Sequence, residues 1–214
     1  MPALLHSHEV SQLLELVQDQ PGSTSVFLDL LGQIKDRVAA AIDADPLVAE
    51  RLGGNRHRLI DIEFREEEQK VADAQVSVRL AEAVIYDYDR SVLIIAVLDL
   101  RAGVVEAIVE RPGIQPALTA EERDEAYELV VADDRYEALR ARGAVDMVAL
   151  PARAAQIEDN PRFGHRLFQL YFWSRGDAPA RVGQAAVDLS TREVVSTDEA
   201  RATASGPQTQ APHN

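Results

Sequence analysis

The residues able to do chemistry are few. The 214-residue sequence carries five histidines and no cysteine, which excludes thiolate catalysis, disulfides and cysteine-based zinc sites. Three groups stand out. In the first, His57, Asp61 and Glu63 occupy alternating positions of an extended segment and so share one strand face. An imidazole beside carboxylates suits a general base or a metal ligand, although a solvated face flanked by Arg56, Arg58 and Arg65 has the same composition. The second is Arg162, His165 and Arg166 in N-P-R-F-G-H-R at 160–166. Its cations suit an anion, and a plain turn into a strand would read alike. The third is Tyr86, Tyr88, Tyr171 and Trp173, with Leu167 beside the last two in sequence. Aromatic side chains serve ligand pockets and partner surfaces, and they also pack wherever area must be buried. His6-x-His8 needs metal ligands from elsewhere, and a frayed terminus is its plainer reading. Both phosphate-cradling glycine patterns, G-x-x-x-x-G-K and G-x-G-x-x-G, are absent. No catalytic residue, metal ligand or cofactor is therefore assigned.

The elements that must position these residues belong to an acidic globular chain. Net charge is −14, hydrophobic content 46% and charged content 27%. That balance suits a packed core and disfavours a phosphate backbone as partner, so nucleic acid is not expected. The N-terminus lacks a basic stretch followed by an apolar core. The longest apolar run, 92–98, is too short for a bilayer. The expectation is a cytoplasmic protein with no membrane partner.

Along the chain, 8–19 places Val10, Leu13, Leu14 and Val17 at helical spacing. A longer helix over about 25–42 aligns Phe27, Leu30, Leu31, Ile34, Val38 and Ala41. Asp45-Pro46 restarts it and Gly53-Gly54 stops it. Strands are expected at 58–64, 76–88, 91–100 and 104–110, with a charged hairpin region at 65–73. Thr119-Ala120-Glu121-Glu122 reads as a capping box opening a second helix that ends near Gly143. Further strands are expected at 145–150, 164–174, 181–189 and 193–197. From Asp198 onward the composition predicts a tail that buries nothing.

Two landmarks recur at one spacing. Ala44-Asp45 before Leu52-Gly53 matches Ala132-Asp133 before Arg142-Gly143. Leu98-Asp99-Leu100 before Val104-Val105 matches Val187-Asp188-Leu189 before Val194-Val195. From 45 to 133 and from 99 to 188 the spacings are 88 and 89 residues. The fold class expected is α+β, with two tandem units at 23–112 and 117–199. Each is a helix packed on a curved antiparallel four-stranded sheet, with 1–22 a helix and linker and 200–214 a tail.

The stretch L-D-L-R-A-G-V-V-E-A-I-V-E-R-P-G-I-Q-P-A-L-T-A-E-E, continuing through A-Y-E-L-V-V-A-D-D-R-Y-E-A-L-R-A-R-G, resembles the junction between the second and third N-terminal domains of copper amine oxidases. Those domains are small cystatin-like α+β units, and A-V-D-L-S-T-R-E-V-V is similar to the end of the third. The resemblance covers about 57–197. It implies the fold without the catalysis, because that family's topaquinone arises from the Tyr of an Asn-Tyr-Asp/Glu motif. Here Asn55, Asn160 and Asn214 each lack a following Tyr. His6-x-His8 imitates that family's His-x-His copper ligands at the wrong end of the chain. The reading is a non-catalytic interaction or assembly protein, forming homo-oligomers or binding another protein. Leu167, Tyr171 and Trp173 supply its uncovered apolar face. Alternatives are a small-molecule binder or enzyme using a concave sheet face, and an accessory subunit of a separately encoded oxidase.

Overall fold

The computed structural model describes residues 24–71, 74–141, 145–175 and 179–201. The expected helix at 8–19, His6 and His8, and the tail beyond 201 lie outside the described residues.

Helix α1 (Thr24–Asp43) buries Ile34, Val38 and Ile42, one residue per turn. Helix α2 (Pro46–Leu52) begins three residues later. Asp45 caps it by accepting N–H bonds from Leu47 at 2.9 Å and Val48 at 3.4 Å, and Gly53, at φ 59°, closes it. Strands β1 (His57–Val71), β2 (Ala74–Asp87), β3 (Val92–Asp99) and β4 (Val104–Pro112) form one sheet in the order β1-β2-β3-β4.

The charged hairpin expected at 65–73 is found, but its arms are longer than expected, because β1 continues to Val71 and β2 begins at Ala74. The ladder runs from Phe64↔Ala81 to Val71↔Ala74 without a break. Glu66, Glu67 and Glu68 are poor strand formers alone, but a paired partner supplies the backbone bonds that propensity undervalues. The register also slips between Leu59 and Asp61. Such a bulge inserts an extra residue and reverses the alternation of faces.

The plan then repeats. Helix α3 (Ala120–Ala132), a 3-10 turn (Asp134–Tyr136) and helix α4 (Glu137–Arg140) precede β5 (Val145–Pro151), β6 (Leu167–Ser174), β7 (Arg181–Asp188) and β8 (Glu193–Val195). These strands pair antiparallel in the order β5-β6-β7-β8. The fold is α+β, with two four-stranded antiparallel sheets, as expected of tandem cystatin-like units. The described residues up to Asp87 form one compact unit with Ile94–Arg111. Tyr88–Leu93 and the described residues from Pro112 onward form the other.

The repeated landmarks do the same work in each unit. Asp133, like Asp45, caps the helical turn after it, accepting the N–H of Arg135 at 2.9 Å. Asp99 and Asp188 each end a strand and fold the hairpin after it. Asp99 accepts from the N–H groups of Arg101 and Ala102, and Asp188 from those of Ser190 and Thr191.

One expectation is overturned at the C-terminal end, where composition predicts a tail from Asp198 that buries nothing. Helix α5 (Thr197–Arg201) forms there, and Ala200 is fully buried. Ser196 and Glu199 bond each other's backbone N–H groups, at 3.1 and 3.0 Å. That reciprocal capping box nucleates a helix too short to form alone. Ala200 then joins Ala152, Ala154, Ala155, Leu167, Ala186 and Val195 in one apolar cluster.

Candidate functional site

The chemistry-bearing residues of the second unit meet where the 160–166 loop enters β6. The structure divides the expected trio. Arg166 turns inward and is fully buried with Glu122 of α3. Its Nε donates to Glu122 Oε1 at 2.8 Å and its Nη2 to Oε2 at 2.7 Å, a bidentate pair. Nη1 and Nη2 also donate to the carbonyls of Pro116 and Ala117, at 2.6 and 2.7 Å. The guanidinium stacks 4.6 Å from the centroid of the Phe168 ring.

Glu122 carries the other half of this knot. It accepts the Tyr88 hydroxyl at 2.6 Å and the Thr119 N–H at 2.9 Å, while Thr119 Oγ1 accepts the Glu122 N–H. Burial pushes its carboxyl pKa up, but the Arg166 guanidinium, with the Thr119 and Tyr88 bonds, outweighs this and holds it below its ordinary value. The knot lashes the 112–119 connector, α3 and β6 together, which is structural work.

Arg162 and His165 gather instead on Asp188 at the end of β7. Arg162 Nη1 donates to Asp188 Oδ2 at 2.6 Å, and His165 Nδ1 lies 2.7 Å from the same oxygen. Burial raises the Asp188 pKa, and the bonds and charges of His165 and Arg162 more than reverse this. An ionised carboxylate only accepts, so Nδ1 of His165 carries the hydrogen. His165 and Arg162 keep about a quarter of their side-chain surface, 24% and 22%, while Asp188 keeps none. The imidazole is thus oriented by a buried carboxylate, but its charge partner is shared with Arg162. Sequence reasoning misses Asp188 and Glu122 as site residues because each reads as a turn or cap. Their signals were the repeated Asp-Leu of Leu98-Asp99-Leu100 and Val187-Asp188-Leu189, and the T-x-x-E box.

His57, Asp61 and Glu63 are not brought together. The bulge at 59–61 breaks their common alternation. His57 Nδ1 bonds the Asn55 carbonyl at 2.8 Å, Asp61 pairs with Lys35 at 2.6 Å, and Glu63 stands across from Glu82. Among the described residues, no group of three or more His, Cys, Asp or Glu side chains could hold a metal ion.

The expected aromatic surface narrows. Tyr86, Tyr88 and Leu167 are buried: Tyr88 with its bond to Glu122, Leu167 among the alanines of the 3-10 turn Arg153–Gln156 and of α5. Tyr171 and Trp173 remain half-buried. Beside them, on β5, Val148 is 49% and Leu150 51% exposed. The register sets Val148 against Tyr171 and Leu150 against Gln169, on one sheet face. The Arg181 guanidinium lies 6.0 Å from the Tyr171 ring centroid on that face. Strand β5 ends its sheet's order, with no neighbour on its outer edge among the described residues. In the first unit, a groove of about 380 Å³ crosses β1 to β4, floored by Leu80, Ile95, Val97 and Val109.

No protein-family model matches this chain, and no curated protein does. Among solved structures, it is similar to a copper-containing benzylamine oxidase from Hansenula polymorpha. The TM-score is 0.44 and the identity 13%, over 73% of this chain and 28% of that one. The chain thus spans little more than a quarter of that protein's length.

Proposed function

We propose that this chain is a non-catalytic interaction module that assembles, with itself or with another protein, through the open face of its second sheet. The observation carrying this reading is the pair Val148 and Leu150, each about half exposed on an edge strand beside Tyr171 and Trp173. Clustered apolar and aromatic side chains mark contact surfaces, and an edge strand with no outer neighbour among the described residues adds backbone donors and acceptors to them. The likeness of 97–143 to the non-catalytic domains of copper amine oxidases is in keeping with it. Native mass spectrometry on gently purified protein tests the reading. A mass at an integer multiple of the chain, or one including a second protein, is expected. Val148→Lys with Leu150→Lys should return the monomer. A monomer at all concentrations, or one carrying only a small extra mass, overturns the reading, the latter in favour of a small-molecule site.

A further inference from the structure

We propose that the partner of the second sheet is a second copy of this chain, whose β5 pairs antiparallel with this β5 across a twofold axis through Val148. The proposal rests on the reading of that sheet as the assembly face, and it names what the face assembles with.

The ladder inside the chain fixes which way the backbone groups of β5 point. Ala152, the residue after the strand, donates its N–H to the Leu167 carbonyl at 2.8 Å. The register with β6 runs unbroken from Val145↔Ser174 to Pro151↔Phe168. In an antiparallel ladder, residues bonded to one neighbour alternate with residues that face away from it. Asp146, Val148 and Leu150 therefore bond to β6, while Val145, Met147, Ala149 and Pro151 turn their backbone groups to the outer edge. Pro151 has no N–H, and at this position the ladder of its own chain needs none.

A twofold ladder on this edge must set those four outward residues against one another. With the axis at Val148, Met147 exchanges bonds both ways with Ala149 of the other copy, and the Val145 N–H donates to the Pro151 carbonyl beyond. Val148 then stands against its own twin, and Leu150 lies one diagonal step from it on the Tyr171 face. An axis at Ala149 would set Met147 against Pro151 and lose bonds. An axis at Met147 would set Val148 against Asp146 and carry Leu150 past the ladder. Only the Val148 axis uses the whole strand and lets the two exposed apolar side chains cover their copies, as an isologous contact requires.

Charge favours a second copy at this edge. Net charge is −14, so two copies repel over most of their surface. On β5 the one ionisable side chain, Asp146, is held by Arg175 at 2.9 Å, so the strand meets its twin without net charge. The other outer strands are guarded against pairing. Strand β8 has three residues, β4 carries Glu106, Glu110 and Arg111, and β1 is bulged at 59–61 and carries three consecutive glutamates.

The sequence has no cysteine, so an introduced thiol has no competitor. Full-length Val148→Cys and Leu150→Cys chains are oxidised mildly in parallel. The two positions are equally exposed, at 49% and 51%. Across the proposed axis the Val148 pair is not hydrogen-bonded, with Cα atoms about 4.5 Å apart, which a disulfide can bridge. The two Leu150 residues stand about 13 Å apart along the strands. Val148→Cys should therefore give the covalent dimer at least about tenfold faster, and Asp146→Cys chains mixed with Leu150→Cys chains should join each other. Equal rates, or faster closure at Leu150, overturn the proposal. Amide exchange is the second readout and needs no variant. The Met147 and Ala149 amides should slow at least about tenfold from dilute to concentrated protein, while those of Val148 and Leu150 stay protected throughout. Unchanged exchange at Met147 and Ala149 overturns the proposal. Native mass spectrometry separates this failure from that of the assembly reading. A dimer lacking these signatures, or a complex with a different protein, removes only the β5 pairing, whereas a monomer at all concentrations removes both.

Discussion

Glu122 and Arg166 show how much can rest on one pair of residues. Both are fully buried, and each satisfies the other while pinning three stretches of backbone. Glu122→Ala leaves the Arg166 cation buried without its counter-ion. The expected loss is about 3–5 kcal/mol, seen as a lower urea midpoint. Combining Glu122→Ala with Arg166→Leu should recover a large part of that loss, because an apolar side chain carries no desolvation cost. Acid should weaken the same fold. Glu122 and Asp188 both have folded-state pKa values below their ordinary ones. Their contribution is therefore present above the unfolded carboxylate pKa of about 4, and is lost as pH falls through the folded value. Stability measured by urea titration at stepped pH should fall below about pH 4. Asp188→Asn should be less stable than the parent at neutral pH and should lose less on acidification.

At the scale of elements, turns and caps decide more than propensity does. Gly164 sits at φ 77°, and a Cβ there would lie 2.5 Å from the Ser91 carbonyl oxygen. Gly54 has a similar φ of 82° with open space around it. Gly54→Ala should cost about 1 kcal/mol, the strain of the left-handed backbone alone. Gly164→Ala should cost clearly more in the same thermal unfolding comparison, because backbone must move as well. Ser196→Ala removes one half of the capping box of α5, at a cost of about 1 kcal/mol. Since Ala200 of α5 closes the cluster around Leu167, that variant should also expose the far end of the second sheet, read as increased hydrogen exchange in β6. Most strands and both long helices were legible in period and cap. The hairpin at 65–73 was legible too, but not the length of its paired arms, because three consecutive glutamates have little strand propensity until a partner strand supplies their backbone bonds.

The whole molecule carries a single tryptophan, and it lies on the proposed contact face. Trp173 should be quenched readily by acrylamide in dilute protein and progressively protected as assembly proceeds, with a blue shift in emission. Protection that never changes with concentration or partner would count against the second sheet as the contact face. The candidate site was less legible than the fold. Arg162, His165 and Arg166 were visible as a cluster, but their partners, Asp188 and Glu122, lie 23 or more residues away in sequence.

The sequence by itself determined the α+β class, the repeated helix-then-meander plan, and the absence of thiol chemistry. All three rest on local signals: apolar period, caps, turn residues and composition. Only the tertiary structure decided which polar residues meet. A one-residue bulge at 59–61 separated His57 from Asp61 and Glu63. A buried glutamate drew Arg166 away from its neighbour His165, and a five-residue helix covered Leu167 while leaving Tyr171 and Trp173 in reach of solvent. Contacts of that kind depend on register and long-range packing, which no local pattern records.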